Sequence, residues 1–329
     1  MTAQRIAPIG SGSADGKGVA GELPPARVNQ VALSVASREC SLAFYRDVIG
    51  LTHVGGTETF RGKTTEQVQG MKGAASKVHW LMDDRSYFQL ELFEFECPVG
   101  RPIAAARQPQ DIGYSRIRIA VPDLARLGTD ATVHELHGER VALLRDPDGI
   151  MIEVREDALL TGPRLFGVAL SVPDLVVARS SFVDGCGCPV LSENPEDWGV
   201  LWGETAADKQ CLLLDGYTIT LERNCYEVPA SKPWPDGYQL ADIGILNIAL
   251  GFRKSADIKA RLAAMKRAGF KPNRPLVGAR GVFMLTYSND PQGFSVETLM
   301  VSGMLMGGLG FRQGTAFDRA LMKFLATIS

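Results

Sequence analysis

The chain has 329 residues, of which 45% are hydrophobic and 22% charged, and its formal net charge is -2 at pH 7. These values are ordinary for a soluble globular protein and exclude a disordered or fibrous class. Because the length exceeds that of a single compact core, we expect two domains. The 35 basic and 37 acidic residues form no long run of one sign, so we expect no nucleic-acid partner and no membrane partner.

The N-terminal 25 residues are rich in Gly, Ser, Ala and Pro without periodicity, which predicts a flexible leader. No apolar stretch is long enough for a signal peptide or a membrane span, so a cytoplasmic location is expected. Six cysteines scattered through a chain of this length indicate free thiols. We interpret Cys186 and Cys188 as two small hydrophobes packed by a turn, with metal binding or redox cycling as the less favoured alternative.

A repeated strand pattern is the main signal in the sequence. The segment Val-Ala-Leu-Ser-Val at residues 31–35 recurs identically at residues 168–172, and weaker copies occupy residues 116–121 and 247–250. Each copy alternates small or polar residues with branched apolar ones, which is typical of a half-buried strand. These strands are therefore predicted to open four structural modules.

Each opening strand is followed by helical and then by further strand patterns. Residues 37–48 and 255–268 have apolar residues at helical spacing, while residues 122–130 leave room for one turn or no helix. Closing strands are predicted at residues 87–95, 150–155, 217–222 and 294–299, two of them after turns of the type Asp-Pro-x-Gly. The unit is βαβββ, four times, which makes the fold class α+β.

The domain limits follow from this repeat. We predict a first domain at residues 26–157 from modules 1 and 2, and a second at residues 164–300 from modules 3 and 4. Residues 301–329 form a tail in which an amphipathic helix over residues 315–328 caps a domain or a subunit interface. A homodimer is therefore left open.

At this point the sequence resembles the vicinal oxygen chelate superfamily of glyoxalases, bleomycin resistance proteins and extradiol dioxygenases. The resemblance depends on the repeated opening strand, on Ala-Phe-Tyr-Arg-Asp-Val-Ile-Gly-Leu at residues 43–51, and on Asp-Pro-Asp-Gly at residues 146–149 before Ile-Glu-Val. It covers about residues 26–300 and implies two cup-shaped domains, each made from two βαβββ modules. It also implies metal-ligand positions in the opening and closing strand of each module.

Those positions are only partly filled by metal-binding residue types. In the first domain they hold Gln30, Glu91, Arg116 and Glu153, with Arg116 where the family has histidine; in the second they hold Gly167, Thr220 or Glu222, Asn247 and Glu297. No full ligand set results, so we expect no cofactor and no metal ligands. A divalent Fe, Mn, Ni or Zn ion, incompletely liganded, is the alternative.

The catalytic prediction replaces the metal by a guanidinium. Arg116 is expected between Glu91 and Glu153, so that Arg116 or Arg118 binds an anionic oxygen of the substrate while a glutamate moves a proton. The alternative is a buried ion pair in an inactive cup. Gln30, Asn247 and Glu297 are expected to contribute to substrate binding, and Asn247 and Glu297 can instead shape the site structurally.

Two strand histidines, His79 and His134, are further catalytic candidates because imidazole exchanges protons near neutral pH. Their alternative is a histidine satisfied by a hydrogen bond or by solvent.

The leading functional prediction is an enzyme of bacterial-type catabolism, a lyase or isomerase that moves a proton on an oxygenated, aromatic and anionic small molecule. One alternative is a noncatalytic small-molecule binding protein of the drug-sequestering type. The other is an iron-dependent extradiol dioxygenase, which the sequence disfavours because such a site needs two histidines beside a carboxylate. No histidine occupies an opening-strand ligand position.

Overall fold

The computed structural model describes residues 27–103, 108–128, 131–136, 138–193, 208–228, 231–279 and 281–318. The leader predicted over residues 1–25 and the tail helix beyond residue 318 lie outside these ranges. Within the described ranges, strands and short helices follow one another in four groups, each opened by a predicted strand. The α+β class and the four modules are thereby confirmed.

The first two modules differ in their helices. Module 1 contains β1 (Arg27–Ser34), α1 (Arg38–Ala43), β2 (Thr52–Phe60), α2 (Lys63–Gln69), β3 (Ala75–Met82) and β4 (Gln89–Cys97). Module 2 contains β5 (Gly113–Val121), a 3-10 turn (Leu124–Leu127), β6 (Val133–Leu136), β7 (Glu139–Arg145) and β8 (Met151–Glu156). The single turn in module 2 is what its short connection predicted.

The last two modules repeat the plan. Module 3 contains β9 (Arg164–Ser171), α3 (Leu175–Arg179), β10 (Val190–Glu193), β11 (Asp208–Asp215) and β12 (Thr220–Val228). Module 4 contains β13 (Gly244–Phe252), α4 (Ser255–Arg267), β14 (Lys271–Pro272), β15 (Val277–Ala279), β16 (Phe283–Asn289) and β17 (Ser295–Val301). Side chains of Ser37 and Asp174 accept hydrogen bonds from backbone N–H groups in the first turns of α1 and α3, which fixes where these helices begin.

The modules assemble into two mixed sheets. One sheet has the order β14-β16-β17-β13-β1-β4-β3-β2, with β15 beside β16, and the other has the order β10-β11-β12-β9-β5-β8-β7-β6. The opening strands are antiparallel neighbours, β1 with β13 and β5 with β9. Module 1 therefore shares a sheet with module 4, and module 2 with module 3.

The expected pairing of module 1 with 2 and of module 3 with 4 is wrong. All four opening strands alternate apolar with small or polar residues in the same way, and their edges are equivalent. The repeat therefore identifies the strands but does not specify which of them pair within a sheet. Closeness in the chain suggested the wrong partners. The turn over residues 157–164 does lie between β8 and β9, but these strands belong to the same sheet.

One continuous apolar core lies beneath both sheets. It contains the branched residues of all four opening strands together with the helices, among them Val31, Leu33, Ile117, Ile119, Val168, Leu170, Ile248 and Leu250. Because side chains alternate along a strand, the residues between these point to the opposite sheet face. That second face carries the small and polar residues of each opening strand and forms the two cups.

Candidate functional site

Four glutamates occupy equivalent places in the four closing strands. The parallel register inside each module aligns Ala32 with Glu91, Arg118 with Glu153, Ala169 with Glu222, and Ala249 with Glu297. Each of these opening-strand residues lies two positions after the predicted ligand position. Glu222 is therefore the counterpart of the other three glutamates, and Thr220 is not.

The sheet pairing decides which candidate residues meet. Modules 1 and 4 bring together Gln30, Glu91, Asn247 and Glu297 in what we call the 1–4 cup. Modules 2 and 3 bring together Arg116, Glu153, Gly167 and Glu222 in the 2–3 cup. The expected convergence of Gln30 and Glu91 with Arg116 and Glu153 is wrong, because the two pairs belong to different sheets.

The 1–4 cup holds a cavity of about 290 Å³ with a largely apolar wall. Six aromatic side chains line it: Phe60, Trp80, Phe93, Phe283, Tyr287 and Phe311. Its polar lining includes the carboxyl groups of Glu91 and Glu297 and the amides of Gln30 and Gln89. Among the described residues that line the cavity there is no Lys, Arg or His.

Glu91 is buried and held by hydrogen bonds to both of its oxygens. The Trp80 indole Nε1 donates to Glu91 Oε1 at 2.7 Å, and the Gln30 amide nitrogen donates to Glu91 Oε2. Gln89 Nε2 in turn donates to Gln30 Oε1 at 3.2 Å. Burial raises the pKa of Glu91 to about 7, and the Trp80 hydrogen bond acts in the opposite direction. This carboxyl group can therefore gain or lose a proton near neutral pH.

Glu297 is the second carboxyl group of the same cavity. Burial raises its pKa well above the ordinary value, the charge of Glu91 raises it further, and a hydrogen bond with Tyr287 lowers it. Neither polar atom of the neighbouring Asn247 amide completes a hydrogen bond, although this amide approaches the Tyr287 phenol. Two carboxyl groups thus face an apolar space, and the described residues that line it include no Lys, Arg or His.

The segment after β17 closes one side of the 1–4 cup, since Leu309 and Phe311 line the cavity. The Tyr87 backbone N–H donates to the Phe311 carbonyl at 2.9 Å. Gly310 has φ 76°, and a Cβ atom there would lie 2.5 Å from Trp80 Cβ. Only glycine therefore allows this segment to approach the residue that holds Glu91.

The 2–3 cup is filled by its own ion pairs. Arg116 Nε lies 3.0 Å from Glu153 Oε2, and Arg116 Nη2 lies 2.7 Å from Glu222 Oε1. Arg118 lies 3.2 Å from each of the same two carboxylates, and Arg155 lies 2.7 Å from Glu153. Arg116 thus lies between Glu153 and Glu222, and the prediction that placed it between Glu91 and Glu153 is wrong.

These ion pairs remove Glu153 from proton transfer near neutral pH. Burial alone would raise its pKa, but the guanidiniums of Arg118, Arg155 and Arg116 lower it to about 2. Arg116 is only 1% exposed, so its charge is directed at carboxylates rather than at an entering ligand. The contacts match the alternative expectation of a buried ion-pair cluster.

The histidine candidates lie away from the 1–4 cavity. Trp80 lines it, so the neighbouring His79 points to the other side of β3, where its Nε2 lies 3.1 Å from Glu39 Oε1 and its Nδ1 lies 3.2 Å from His53 Nε2. His134 lies in β6, the edge strand of the other sheet. Both positions fit the alternative expectation of a strand histidine that is hydrogen-bonded or faces solvent better than they fit a catalytic role.

The residues of the 1–4 cup, as arranged, do not fit a zinc, nickel or iron ion. Such ions prefer imidazole or thiolate ligands together with carboxylates, whereas the described lining offers oxygen donors only. Gln30 turns its amide nitrogen to Glu91, whose two oxygens already accept hydrogen bonds. No cluster of three or more His, Cys, Asp or Glu side chains suited to a metal occurs in the described part of the chain.

Comparison with known proteins identifies the fold. No model of a protein family matches the sequence, and no curated protein matches it. Glyoxalase I from Zea mays is similar in structure at 18% identity and a TM-score of 0.58, covering 83% of this chain and 92% of that one. A candidate dioxygenase from Bacillus subtilis is similar at 15% identity and a TM-score of 0.57, covering 87% and 91%.

The described helices include none long and apolar enough to cross a membrane. The two similar structures cover 83% and 87% of this chain. The chain therefore has the fold of these glyoxalase- and dioxygenase-type structures, which is the fold that the resemblance implied.

Proposed function

We propose that this chain is an enzyme, a lyase or isomerase, that moves a proton on a small oxygenated molecule bound in the 1–4 cup. The observation that carries the proposal is the pair of buried carboxyl groups, Glu91 and Glu297, on one apolar cavity. A group with a pKa near the working pH is the most effective general base or acid. Glu91 meets this condition, and Glu153, with its pKa of about 2, does not.

The two carboxyl groups have complementary roles in this proposal. The Glu91 carboxylate removes a proton from a carbon next to a carbonyl group, and the carbonyl oxygen receives a proton from the protonated Glu297. The enediol or enol then follows one of two routes. In an isomerisation, a carbon atom takes the proton from Glu91 while a hydroxyl proton returns to Glu297. In an elimination, the leaving group departs with the proton from Glu91 while the enol hydroxyl proton returns to Glu297. Trp80 and Gln30 hold Glu91 in place, and the cavity wall excludes water from the reacting carbon.

No step of this mechanism passes through a metal, because the oxygen-only described lining does not fit a zinc, nickel or iron ion. The proton on Glu297 stabilises the negative charge that develops on the carbonyl oxygen of the substrate. The predicted anion-binding role of Arg116 and Arg118 is replaced, since both side chains engage the carboxylates of the 2–3 cup.

A noncatalytic ligand-binding protein is the second candidate, and the largely apolar wall of the cavity favours it. The two candidates differ in one observable. A binding protein retains the carbon-bound protons of its ligand, whereas the proposed enzyme exchanges them with solvent.

The test is incorporation of solvent deuterium into carbon, followed by NMR or mass spectrometry over a panel of hydroxy ketones, hemithioacetals and catechols. We expect incorporation with the wild type, and a rate lower by on the order of 10²-fold or more with Glu91→Gln and with Glu297→Gln. Glu135→Gln is the matched control, because Glu135 is exposed on the edge strand of the other sheet. Equal rates in all four proteins would overturn the proposal.

A further inference from the structure

The 1–4 cavity combines aromatic side chains with acidic groups. Its six aromatic side chains surround the space into which Glu91 and Glu297 face, and Trp80 does so while donating its N–H to Glu91. An aromatic ring presents a negative face, which attracts a cation within about 6 Å of its centre. Both components of the wall therefore favour positive charge.

The same wall disfavours negative charge. In the described lining, no Lys, Arg or His side chain is present to receive an anion. Glu91 and Glu297 are each 5% exposed, so water screens their charges poorly. An anionic ligand would meet the Glu91 carboxylate at low dielectric, whereas a cation would supply the counter-charge that this carboxylate lacks while Glu297 keeps its proton.

The 2–3 cup offers an internal comparison. There the equivalent glutamates, Glu153 and Glu222, are bridged by the Arg116 guanidinium at 3.0 and 2.7 Å. In the 1–4 cup, the position equivalent to Arg116 holds Gln30 in one module and Asn247 in the other, neither of which carries charge. A guanidinium that bridges the two carboxylates in one cup is thus replaced by two uncharged amides beside the carboxyl groups in the other.

We propose that the 1–4 cup binds an organic monocation, a protonated amine or quaternary ammonium with an apolar body, whose charge lies between the aromatic faces and the two glutamates. The inference rests on the proposed function in taking this cavity as the working site, and it narrows the substrate class to amine-bearing molecules. The apolar body occupies the wall formed by Phe283, Leu299 and Phe311. The ammonium group of the ligand takes the role that the Arg116 guanidinium has in the 2–3 cup.

The test compares two probes that differ only in charge, trimethylanilinium and tert-butylbenzene, with benzoate as the anion. Calorimetric or NMR titration should show that trimethylanilinium binds at least about tenfold more tightly than tert-butylbenzene, and that benzoate binds more weakly than either. The double variant Glu91→Gln with Glu297→Gln should lose this preference and keep its affinity for tert-butylbenzene. Glu135→Gln should keep both affinities.

Equal affinity for the two isosteric probes, or tighter binding of benzoate, would overturn the inference. If the double variant does not fold, Phe283→Leu tests the aromatic part alone and should reduce the preference for the cation. The measurement requires no turnover, so it is separate from the deuterium experiment. If the cation is not preferred but deuterium exchange is observed, the proton-transfer proposal remains and the cation proposal fails. If the cation is preferred but no deuterium exchange is observed, the protein binds cations without the proposed catalysis.

Discussion

Glu91→Gln should stabilise the protein at alkaline pH. In the folded chain the pKa of Glu91 is about 7, against an ordinary value of 4.5. Because the pKa is raised in the folded state, the protonated carboxyl group stabilises the fold. This contribution is complete at a pH below the pKa of the unfolded chain and is lost as the pH rises through the pKa of the folded chain. A difference of about 2.5 in pKa corresponds to roughly 3 kcal/mol in the free energy of unfolding. Most of this free energy is lost between about pH 5 and pH 8.

The substitution removes the ionisable group while keeping its shape. Trp80 can still donate to the amide oxygen, and Gln30 can turn its own amide to accept from the new one. Gln89 accommodates that change, because with its amide turned its nitrogen lies 3.0 Å from the Leu309 carbonyl oxygen and 2.9 Å from that of Gly310. Network strain should therefore be small.

Urea unfolding of the wild type, Glu91→Gln and the control Glu135→Gln at about pH 5, 7 and 9 measures the effect. Wild type and Glu91→Gln should have similar free energies of unfolding at pH 5, and the variant should be more stable by about 2–3 kcal/mol at pH 9. Glu135→Gln should follow the wild type throughout. If Glu91→Gln lost as much stability as the wild type between pH 5 and pH 9, or were less stable at pH 9, the pKa of Glu91 would not be raised in the folded chain.

Four other predictions follow from the two cups. The rate constant kcat/KM should rise with pH through about 7 as Glu91 ionises, and fall at higher pH as Glu297 does; a flat pH profile would contradict these roles. Arg116→Met should cost about 3 kcal/mol in chemical unfolding because it removes one of the two guanidiniums that Glu153 and Glu222 share and leaves only that of Arg118, while the folded fraction retains its exchange rate. Gly310→Val should lower kcat/KM about tenfold or more, since its side chain would displace Trp80 from Glu91; an unchanged steady-state rate would show that the segment does not shape the site. Elemental analysis of protein purified without added metal should find well under one equivalent of Fe, Mn, Ni or Zn, and a stoichiometric ion would contradict the metal-free mechanism.

The elements of the fold could be predicted from the sequence because they depend on local patterns. The identical segments at residues 31–35 and 168–172 define opening strands, and the short connection after β5 limits its helix to one turn. The same alternation places Gln30 and Glu91 on the cup face. These features need only the period of side chains along a strand.

The identity of the site could not be predicted in the same way, because it depends on which strand edges join. Glu91 and Glu297 are separated by more than half the chain and meet only because β1 pairs with β13. The sequence analysis did not identify Trp80, although Trp80 lies on the same face of β3 as Val78. Its contact with Glu91 depends on the register between β3 and β4, which the sequence alone does not give. Arg116 drew attention as a charged residue in a strand, but its partner Glu222 belongs to a module that proximity in sequence did not suggest.

We propose that the chemistry takes place in the 1–4 cup and not in the 2–3 cup. Glu91 and Glu222 occupy equivalent positions in the two cups, so Glu91→Gln and Glu222→Gln form a matched pair once circular dichroism shows that both are folded. The most direct measurement is the rate of solvent deuterium incorporation into a carbonyl substrate by these two variants and the wild type. We expect Glu91→Gln to lose on the order of 10²-fold or more in rate while Glu222→Gln retains the wild-type rate. Loss in Glu222→Gln with full activity in Glu91→Gln would place the chemistry in the 2–3 cup instead.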